Sequence, residues 1–189
     1  FFKQKTAYEI PKRDWSSDVC SSDLQRDLGL EVVSDGEMRR YSWLTGMADA
    51  IDGFLSDSVM LEWHGPGGGR EQTTAKIVGG RLHKREMLTA HEVPFMTSLA
   101  SASSAPFKIT IPAPSNFVPT GFRPGVTEAF YPDREALLDA LVAIVRDEIT
   151  WLIAQGVTYI QLDAPFYSHY LDPEHREAMK LSGTDPDAE

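Results

Sequence analysis

The sequence has a single cysteine, no long hydrophobic run and an excess of acidic over basic residues. The one cysteine, Cys20, excludes a disulfide framework and a zinc site of the Cys-x-x-Cys type within these residues. No apolar run approaches the roughly 18 residues that a membrane span needs, and nothing reads as a signal peptide. The formal net charge of -10 disfavours nucleic acid and anionic membranes as partners. We therefore expect a cytoplasmic protein that acts on small molecules.

The first 24 residues differ from the rest of the chain. They show no helical or alternating period that continues into the following segment. They closely resemble the translation of a sequencing adapter, so we predict that they are not native; the alternative is a genuine polar arm. The predicted domain then covers residues 25–189, which contain no cysteine. Its last residues read as the start of a helix, and we expect truncation at both ends.

The first half of this domain is predicted to contain a strand, a helix and a hairpin. Residues 30–34 form a short apolar run, and apolar residues at helical spacing follow over residues 42–54. A hairpin is inserted near residues 60–85, with a glycine-rich loop over residues 62–74 and a strand over residues 75–82. The loop is not a phosphate loop, because no Gly-Lys-Ser/Thr sequence follows it.

The second half alternates strands and helices. We predict a small-residue linker over residues 98–105, a strand over residues 108–111 and a long helix over residues 133–155. A second strand over residues 157–162 and a short helix from Asp172 onward follow. Asp133 is suited to cap the long helix and Gly156 to end it, and Glu148 is the one polar residue on its apolar stripe. This order predicts an α/β fold with parallel strands joined by crossover helices.

Short polar or proline-bounded motifs follow three of the predicted strands. They are Asp-Gly-Glu at 35–37, Pro-Ala-Pro-Ser at 112–115 and Asp-Ala-Pro at 163–165. The carboxyl ends of parallel strands share one side of the sheet, and in barrels that side carries the active site. We therefore expect Glu37, Ser115 and Asp163 to converge.

Each of these residues also has a purely structural interpretation. Asp35 and Asp163 are suited to closing turns or capping helices, and Ser115 to an N-cap. Arg39 and Arg40 are either solvated or paired with the acidic surface.

Taken together, the three motifs resemble a known family, the catalytic domain of cobalamin-independent methionine synthase. The residues Leu-Glu-Val-Val-Ser-Asp-Gly-Glu-Met-Arg-Arg resemble its second-strand motif, Lys-Ile-Thr-Ile-Pro-Ala-Pro-Ser its third and Tyr-Ile-Gln-Leu-Asp-Ala-Pro its fourth. The likeness spans residues 25–181 and is greatest to short, single-barrel relatives. It implies a partial (β/α)₈ TIM barrel, truncated at both ends, with about strands two to four present.

The resemblance also implies a reaction and roles for the three residues. In that family zinc binds the thiol of homocysteine as a thiolate, which takes a methyl group from a folate-type donor. Glu37 and Asp163 match the carboxylates that contact the substrate amino group, and Ser115 would lie near the methyl-donor side.

The sequence departs from the family pattern in ways that affect substrate and metal. Ala164 stands where the family has a glutamate, and the first-strand Gly-Ser-x-Pro motif is missing. The zinc ligands, a His-x-Cys pair with a later Glu and Cys, would lie beyond Glu189, so we predict no metal site in this chain.

Three alternatives remain open. Two belong to the same superfamily: a uroporphyrinogen decarboxylase-like enzyme, with Arg39 and Arg40 lining the barrel mouth, or an epoxide:thiol alkyl transferase. The third is that these residues form an inactive and poorly soluble fragment, because a barrel needs about 250 residues and a half barrel exposes open sheet edges.

Overall fold

A computed structural model describes residues 24–40, 43–64, 70–103, 105–181, 183 and 185–187. The predictions about the first 23 residues, and about the glycine-rich tip at 65–69, lie outside this range. The helices and strands are α1 (Thr45–Ala50), β1 (Ile51–His64), β2 (Arg70–Lys84), α2 (Val93–Ser103), β3 (Lys108–Pro112), α3 (Val118–Gly121), α4 (Arg134–Ala154), β4 (Tyr159–Asp163) and α5 (Pro173–Leu181). Short 3₁₀ turns occur at Pro114–Asn116, Thr127–Ala129 and Pro165–Leu171.

The centre of the fold is a small parallel sheet. Strands β3 and β4 pair in parallel, with Lys108 opposite Tyr159. Val33 forms a parallel bridge with Phe107 on the other side of β3, and its carbonyl accepts a hydrogen bond of 2.9 Å from the Lys108 amide. The predicted parallel α/β arrangement is confirmed for these strands. The expected strand over residues 30–34 is reduced to the single pairing at Val33.

Strand β3 separates an apolar face from a polar one. Ile109 and Ile111 are 2% and 0% exposed and belong to the main core cluster. Lys108 and Thr110 alternate with them and therefore point to the opposite face. The same core includes the buried stripe of α4, namely Leu137, Leu141, Val145 and Leu152. The apolar face therefore packs β3 into the core, and the polar face is the one that can carry functional side chains.

Helix α4 begins and ends as predicted. The Asp133 carboxylate accepts a hydrogen bond of 2.8 Å from the Ala136 amide, and Gly156 has a φ of 84°. The side chain caps one of the free N–H groups at the helix start, and glycine tolerates the left-handed turn that ends it. Asp172 caps α5 in the same way, accepting from the Glu174 amide at 2.8 Å.

The antiparallel hairpin of β1 and β2 begins earlier than the sequence suggested. The helix expected over residues 42–54 ends at Ala50, and the chain enters β1 directly. The described ends of the loop predicted at 62–74 are strand as well. Hairpin pairing overrides the helical spacing of apolar residues here, because the strands also satisfy each other's backbone groups.

Two contacts fasten the base of the hairpin to the rest of the molecule. The Thr127 hydroxyl donates to the Val78 carbonyl at 2.7 Å, and the Tyr131 hydroxyl accepts from the Leu82 amide at 2.8 Å. These bonds join the base of the hairpin to the loop before α4.

The small-residue linker predicted over residues 98–105 is wrong. Those residues are largely part of α2, which buries Val93, Met96 and Leu99 at intervals of three. Alanine is a strong helix former and serine is compatible with a helix, so their small size does not by itself indicate a loop. The buried apolar stripe decides the structure.

Glu148, the one polar residue on the apolar stripe of α4, has a structural role. Glu148 is 0% exposed, and its carboxylate accepts hydrogen bonds from the Leu88 amide at 2.9 Å and from the Thr89 amide at 3.0 Å. It also accepts one from the Thr89 hydroxyl at 2.7 Å. A buried carboxylate needs such donors. Glu148 therefore ties the segment before α2 to α4.

A helix that crosses a membrane is long and apolar, and none of the described helices meets that requirement.

Candidate functional site

Glu37 lies in a tight turn directly after the Val33 bridge. Its backbone has a φ of 61°, and the preceding Gly36 has a φ of 62°. Positive φ is uncommon for a residue with a side chain. The Asp35 carboxylate accepts a hydrogen bond of 2.9 Å from the Glu37 amide, which closes the turn. The turn therefore directs Glu37 in one specific orientation at the strand end.

One oxygen of the Glu37 carboxylate is held by the protein. Oε1 accepts a hydrogen bond of 2.8 Å from the Thr110 hydroxyl and lies 3.4 Å from Nη1 of Arg40. The described part of the chain sends no hydrogen bond to Oε2, and the side chain is 30% exposed. A carboxylate arranged in this way has one oxygen fixed and the other available to a ligand.

Arg40 sits between Glu37 and a second carboxylate, Glu92. Nε and Nη2 of Arg40 donate to the two oxygens of Glu92, the second at 2.7 Å, and Nη2 also donates to the Thr110 carbonyl. The Arg40 and Glu92 side chains are only 7% and 2% exposed. This paired geometry is the strongest form of Arg–carboxylate contact.

The charge state of Arg40 follows from the same contacts. Burial acts to lower the pKa of its guanidinium, but the hydrogen bond and charge of Glu92, with the charges of Glu37 and Asp35, outweigh it. The pKa is therefore raised above its ordinary value, and Arg40 is a permanent cation.

Asp163 is the last residue of β4, where it pairs with Pro112. Its Oδ1 accepts a hydrogen bond from the Gln161 side chain, whose own Oε1 accepts from Lys108 Nζ at 2.8 Å. The Asp163 backbone carbonyl accepts from the Asn116 side chain at 2.6 Å. Both its carboxylate and its backbone are thus fixed by neighbours.

Glu37 and Asp163 lie on the same face of the sheet. Paired residues of parallel strands point the same way, so Thr110 shares a face with its partner Gln161, and Pro112 with Asp163. Glu37 is bonded to Thr110, which places it on this face as well. The structure brings the two carboxylates to one face, at the ends of the two segments that flank β3, without a direct hydrogen bond between them.

Ser115, the third predicted site residue, lies in the 3₁₀ turn Pro114–Asn116 after β3. It is half-buried and makes no hydrogen bond to Glu37 or Asp163. The turn has no side-chain cap, so an N-cap role for Ser115 is wrong. The structure places Ser115 just after the end of β3 and does not bond it to either carboxylate.

The two arginines are engaged in ion pairs rather than solvated. Arg39 lies 3.6 Å from Asp35 and stacks its guanidinium 3.2 Å from the centre of the Phe95 ring. Arg40 is paired with Glu92, which no motif indicated. Thr110 could have been noticed as the polar position in an alternating strand, whereas Glu92 offered no sequence signal.

The described residues offer a cleft beside the site but no cluster of metal ligands. The residues that the structure describes contain no group of three or more His, Cys, Asp or Glu side chains able to hold a metal ion. A cleft of about 470 Å³ is lined by Arg39, Arg40 and His91 among others, and neither Glu37 nor Asp163 lines it. The cleft adjoins the Arg40 pair, and the two carboxylates lie outside it.

Comparison with known sequences gives a consistent set of similarities. The family described as "Cobalamin-independent synthase, Catalytic domain" matches residues 4–182, a range that begins inside the first 24 residues. YxjH of Bacillus subtilis (strain 168) is 25% identical over 165 residues, which are 86% of this chain and 42% of YxjH. A methionine synthase of Pyrococcus abyssi is 24% identical over 176 residues, 90% of this chain and 48% of that protein.

A solved structure shares the fold. It is a B12-independent methionine synthase from Shewanella sp. W3-18-1 in complex with selenomethionine, with a TM-score of 0.63 and 20% identity. The match covers 92% of this chain and 49% of that one. The chain spans about half the length of the curated relatives it matches.

Proposed function

Because the chain belongs to the family of cobalamin-independent synthase catalytic domains, we propose that it supplies the amino-group subsite of a methyltransferase acting on a thiol amino acid such as homocysteine. In the proposed reaction the sulfur of the thiolate bonds to the methyl carbon of a folate-type donor. The bond between methyl and donor breaks, and its electrons stay on the donor. The product would be methionine.

The arrangement of Glu37 and Asp163 supports this proposal. The two carboxylates share one face of the sheet, and each has one oxygen held by a neighbouring side chain. An ammonium group has three donors and no acceptor, so it complements two carboxylates that still have acceptor capacity. Each charge-assisted bond of this kind contributes about 1.5–3 kcal/mol. The ligand named in the Shewanella structure, selenomethionine, is an amino acid that carries such a group.

The proposed architecture is the part of a (β/α)₈ barrel that contains about strands two to four. The parallel order Val33, β3, β4 supports it, since the parallel segments lie side by side in the order in which they occur along the chain, with the hairpin inserted between the first two. Methyl transfer is proposed for a protein of the family's full length, and a cytoplasmic location is part of the same proposal. We expect the chain alone to be inactive in methyl transfer.

Zinc is implied by the family, but the residues at hand do not fit it. The described side chains contain no cluster of three possible ligands, and the single cysteine lies outside the described range. Zinc prefers thiolate and imidazole ligands in a tetrahedral set. The ligands would therefore come from elsewhere in a protein of family length, together with the folate-type donor site, to which Ser115 is the proposed neighbour.

The decarboxylase-like alternative gains no support from the site. It needed Arg39 and Arg40 as basic groups for an anionic substrate. Arg40 is held by Glu92 and Glu37, and Arg39 pairs with Asp35. Neither guanidinium is presented to a ligand as a free positive charge.

The proposal is tested by ligand binding to the chain. Isothermal titration calorimetry would compare L-methionine with 4-(methylsulfanyl)butanoate, which has the same skeleton without the amino group. Wild type should prefer L-methionine, and Glu37→Gln or Asp163→Asn should each weaken L-methionine binding roughly ten- to hundredfold.

Glu177→Gln makes the same change on an exposed helix carboxylate and is the matched control. It should bind L-methionine as wild type does. Equal affinity of wild type for the two ligands would contradict the proposed function.

A further inference from the structure

A second layer of residues stands behind the Glu37 carboxylate. Arg40 contacts Glu37 Oε1 through Nη1 at 3.4 Å, and the same Nη1 lies 3.5 Å from the Thr110 hydroxyl. The rest of the guanidinium is occupied by Glu92 and by the Thr110 carbonyl. These groups come from three separate parts of the chain, which meet around one arginine.

We infer that Arg40 is a positioning residue, held by Glu92, that keeps the Glu37 carboxylate in the orientation needed to accept a ligand's ammonium group. This inference rests on the proposed function. Arg40 itself touches no ligand in this account, because its donors are taken by Glu92, Glu37 and Thr110.

The backbone of Glu37 explains why such support is needed. A φ of 61° is a sparsely populated conformation for a residue with a side chain, and such residues persist only when their surroundings hold them. Asp35 fixes the amide of Glu37, while Thr110 and Arg40 fix its carboxylate. Without Arg40 the carboxylate would keep one neutral hydrogen bond and could turn about its side-chain torsions.

The geometry requires arginine and not merely a positive charge. The planar guanidinium bonds Glu92 through Nε and Nη2 while Nη1 reaches Glu37. Lysine has a single nitrogen and cannot occupy both positions at once. Arg40→Lys therefore keeps the charge and loses the orientation.

If Arg40 acted through its charge alone, its removal would change the affinity for L-methionine in the opposite direction from that expected for a positioning residue. The Arg40 cation lies 3.4 Å from the oxygen of Glu37 and opposes the approach of an ammonium group. Removing it would make the site more attractive to L-methionine if charge were all that mattered. Positioning predicts weaker binding, so the sign of the change separates the two explanations.

The experiment measures the ratio of affinities for L-methionine and 4-(methylsulfanyl)butanoate by titration calorimetry. Arg40→Gln and Arg40→Lys should each lower this ratio roughly tenfold, because the lost contact is a charge-assisted one. The control Glu177→Gln should leave the ratio unchanged. A general loss of folding would weaken both ligands and would not lower the ratio selectively.

The outcomes separate this inference from the proposed function. If wild type itself does not discriminate between the two ligands, the proposed function fails. If wild type discriminates and Arg40→Gln discriminates equally or better, the positioning role is overturned. Should Arg40→Gln not fold, Arg40→Lys gives the comparison with the positive charge retained: charge alone predicts an unchanged ratio, so a lower ratio supports the role and an unchanged ratio overturns it.

Discussion

Replacing Glu148 should destabilise the fold more than any exposed carboxylate would. Its carboxylate accepts three hydrogen bonds, from the Leu88 amide, the Thr89 amide and the Thr89 hydroxyl, at 0% exposure. A buried donor left unsatisfied costs about 1–3 kcal/mol. Glu148→Gln keeps one acceptor oxygen but turns an NH₂ group toward an N–H donor, so at least one of the three bonds is lost.

The expected cost of Glu148→Gln is about 1–3 kcal/mol for one unsatisfied donor, and that of Glu148→Ala is at least about 3 kcal/mol, since three donors then lose their partner. These losses are large against the 5–15 kcal/mol that typically separates folded from unfolded states. Urea unfolding followed by circular dichroism measures them. Asp139→Asn, on an exposed position of the same helix, is the control and should stay within about 0.5 kcal/mol of wild type.

A double-mutant cycle with Thr89→Val isolates one of these bonds. The Thr89 hydroxyl and Glu148 Oε1 are 2.7 Å apart, so we expect a coupling energy of about 1–2 kcal/mol. If Glu148→Gln and Asp139→Asn cost the same, the assignment of Glu148 as a buried anchor is refuted. A coupling energy near zero would refute the direct bond.

Two further predictions concern the hairpin and the C-terminal residues. Gly53→Ala should lower the free energy of unfolding in urea by at least about 2 kcal/mol, because Gly53 has a φ of 106° and an added Cβ would lie 2.6 Å from the Arg81 carbonyl oxygen. The control is Gly46→Ala, where an added Cβ meets no atom within 4 Å, and it should not destabilise the protein. The hydrogen bond and charge of Arg176 lower the pKa of Asp187, so the contribution of this pair to stability is present above the unfolded pKa of Asp187 and is lost as pH falls through its lowered folded value. When melting temperature is measured across a pH series, Arg176→Gln should abolish the part of the decrease at acidic pH that this pair causes. The same decrease in wild type and variant would count against the pair.

The sequence predicts well what is determined by neighbouring residues. The ends of α4 follow from Asp133 and Gly156, because capping and left-handed glycine are local effects. The parallel pairing of β3 and β4 follows from the alternation of strands and helices. The shared face of Glu37 and Asp163 follows in turn from that pairing.

What the sequence did not reveal depends on contacts between distant segments. Glu92 meets Arg40 across 52 positions of the chain, and the environment of Glu148 is set by a segment about 60 positions away. Periodicity carries no information about such pairs. The hairpin from Ile51 to Lys84 was underestimated for the same reason, since its length is fixed by cross-strand pairing.

The most direct measurement is a crystal structure of the chain with L-methionine bound. The account predicts that the ligand's amino nitrogen lies at about 2.7–2.9 Å, the usual length of a charge-assisted hydrogen bond, from carboxylate oxygens of both Glu37 and Asp163. An amino nitrogen that contacts neither carboxylate, in a structure where the ligand is well ordered, would contradict it.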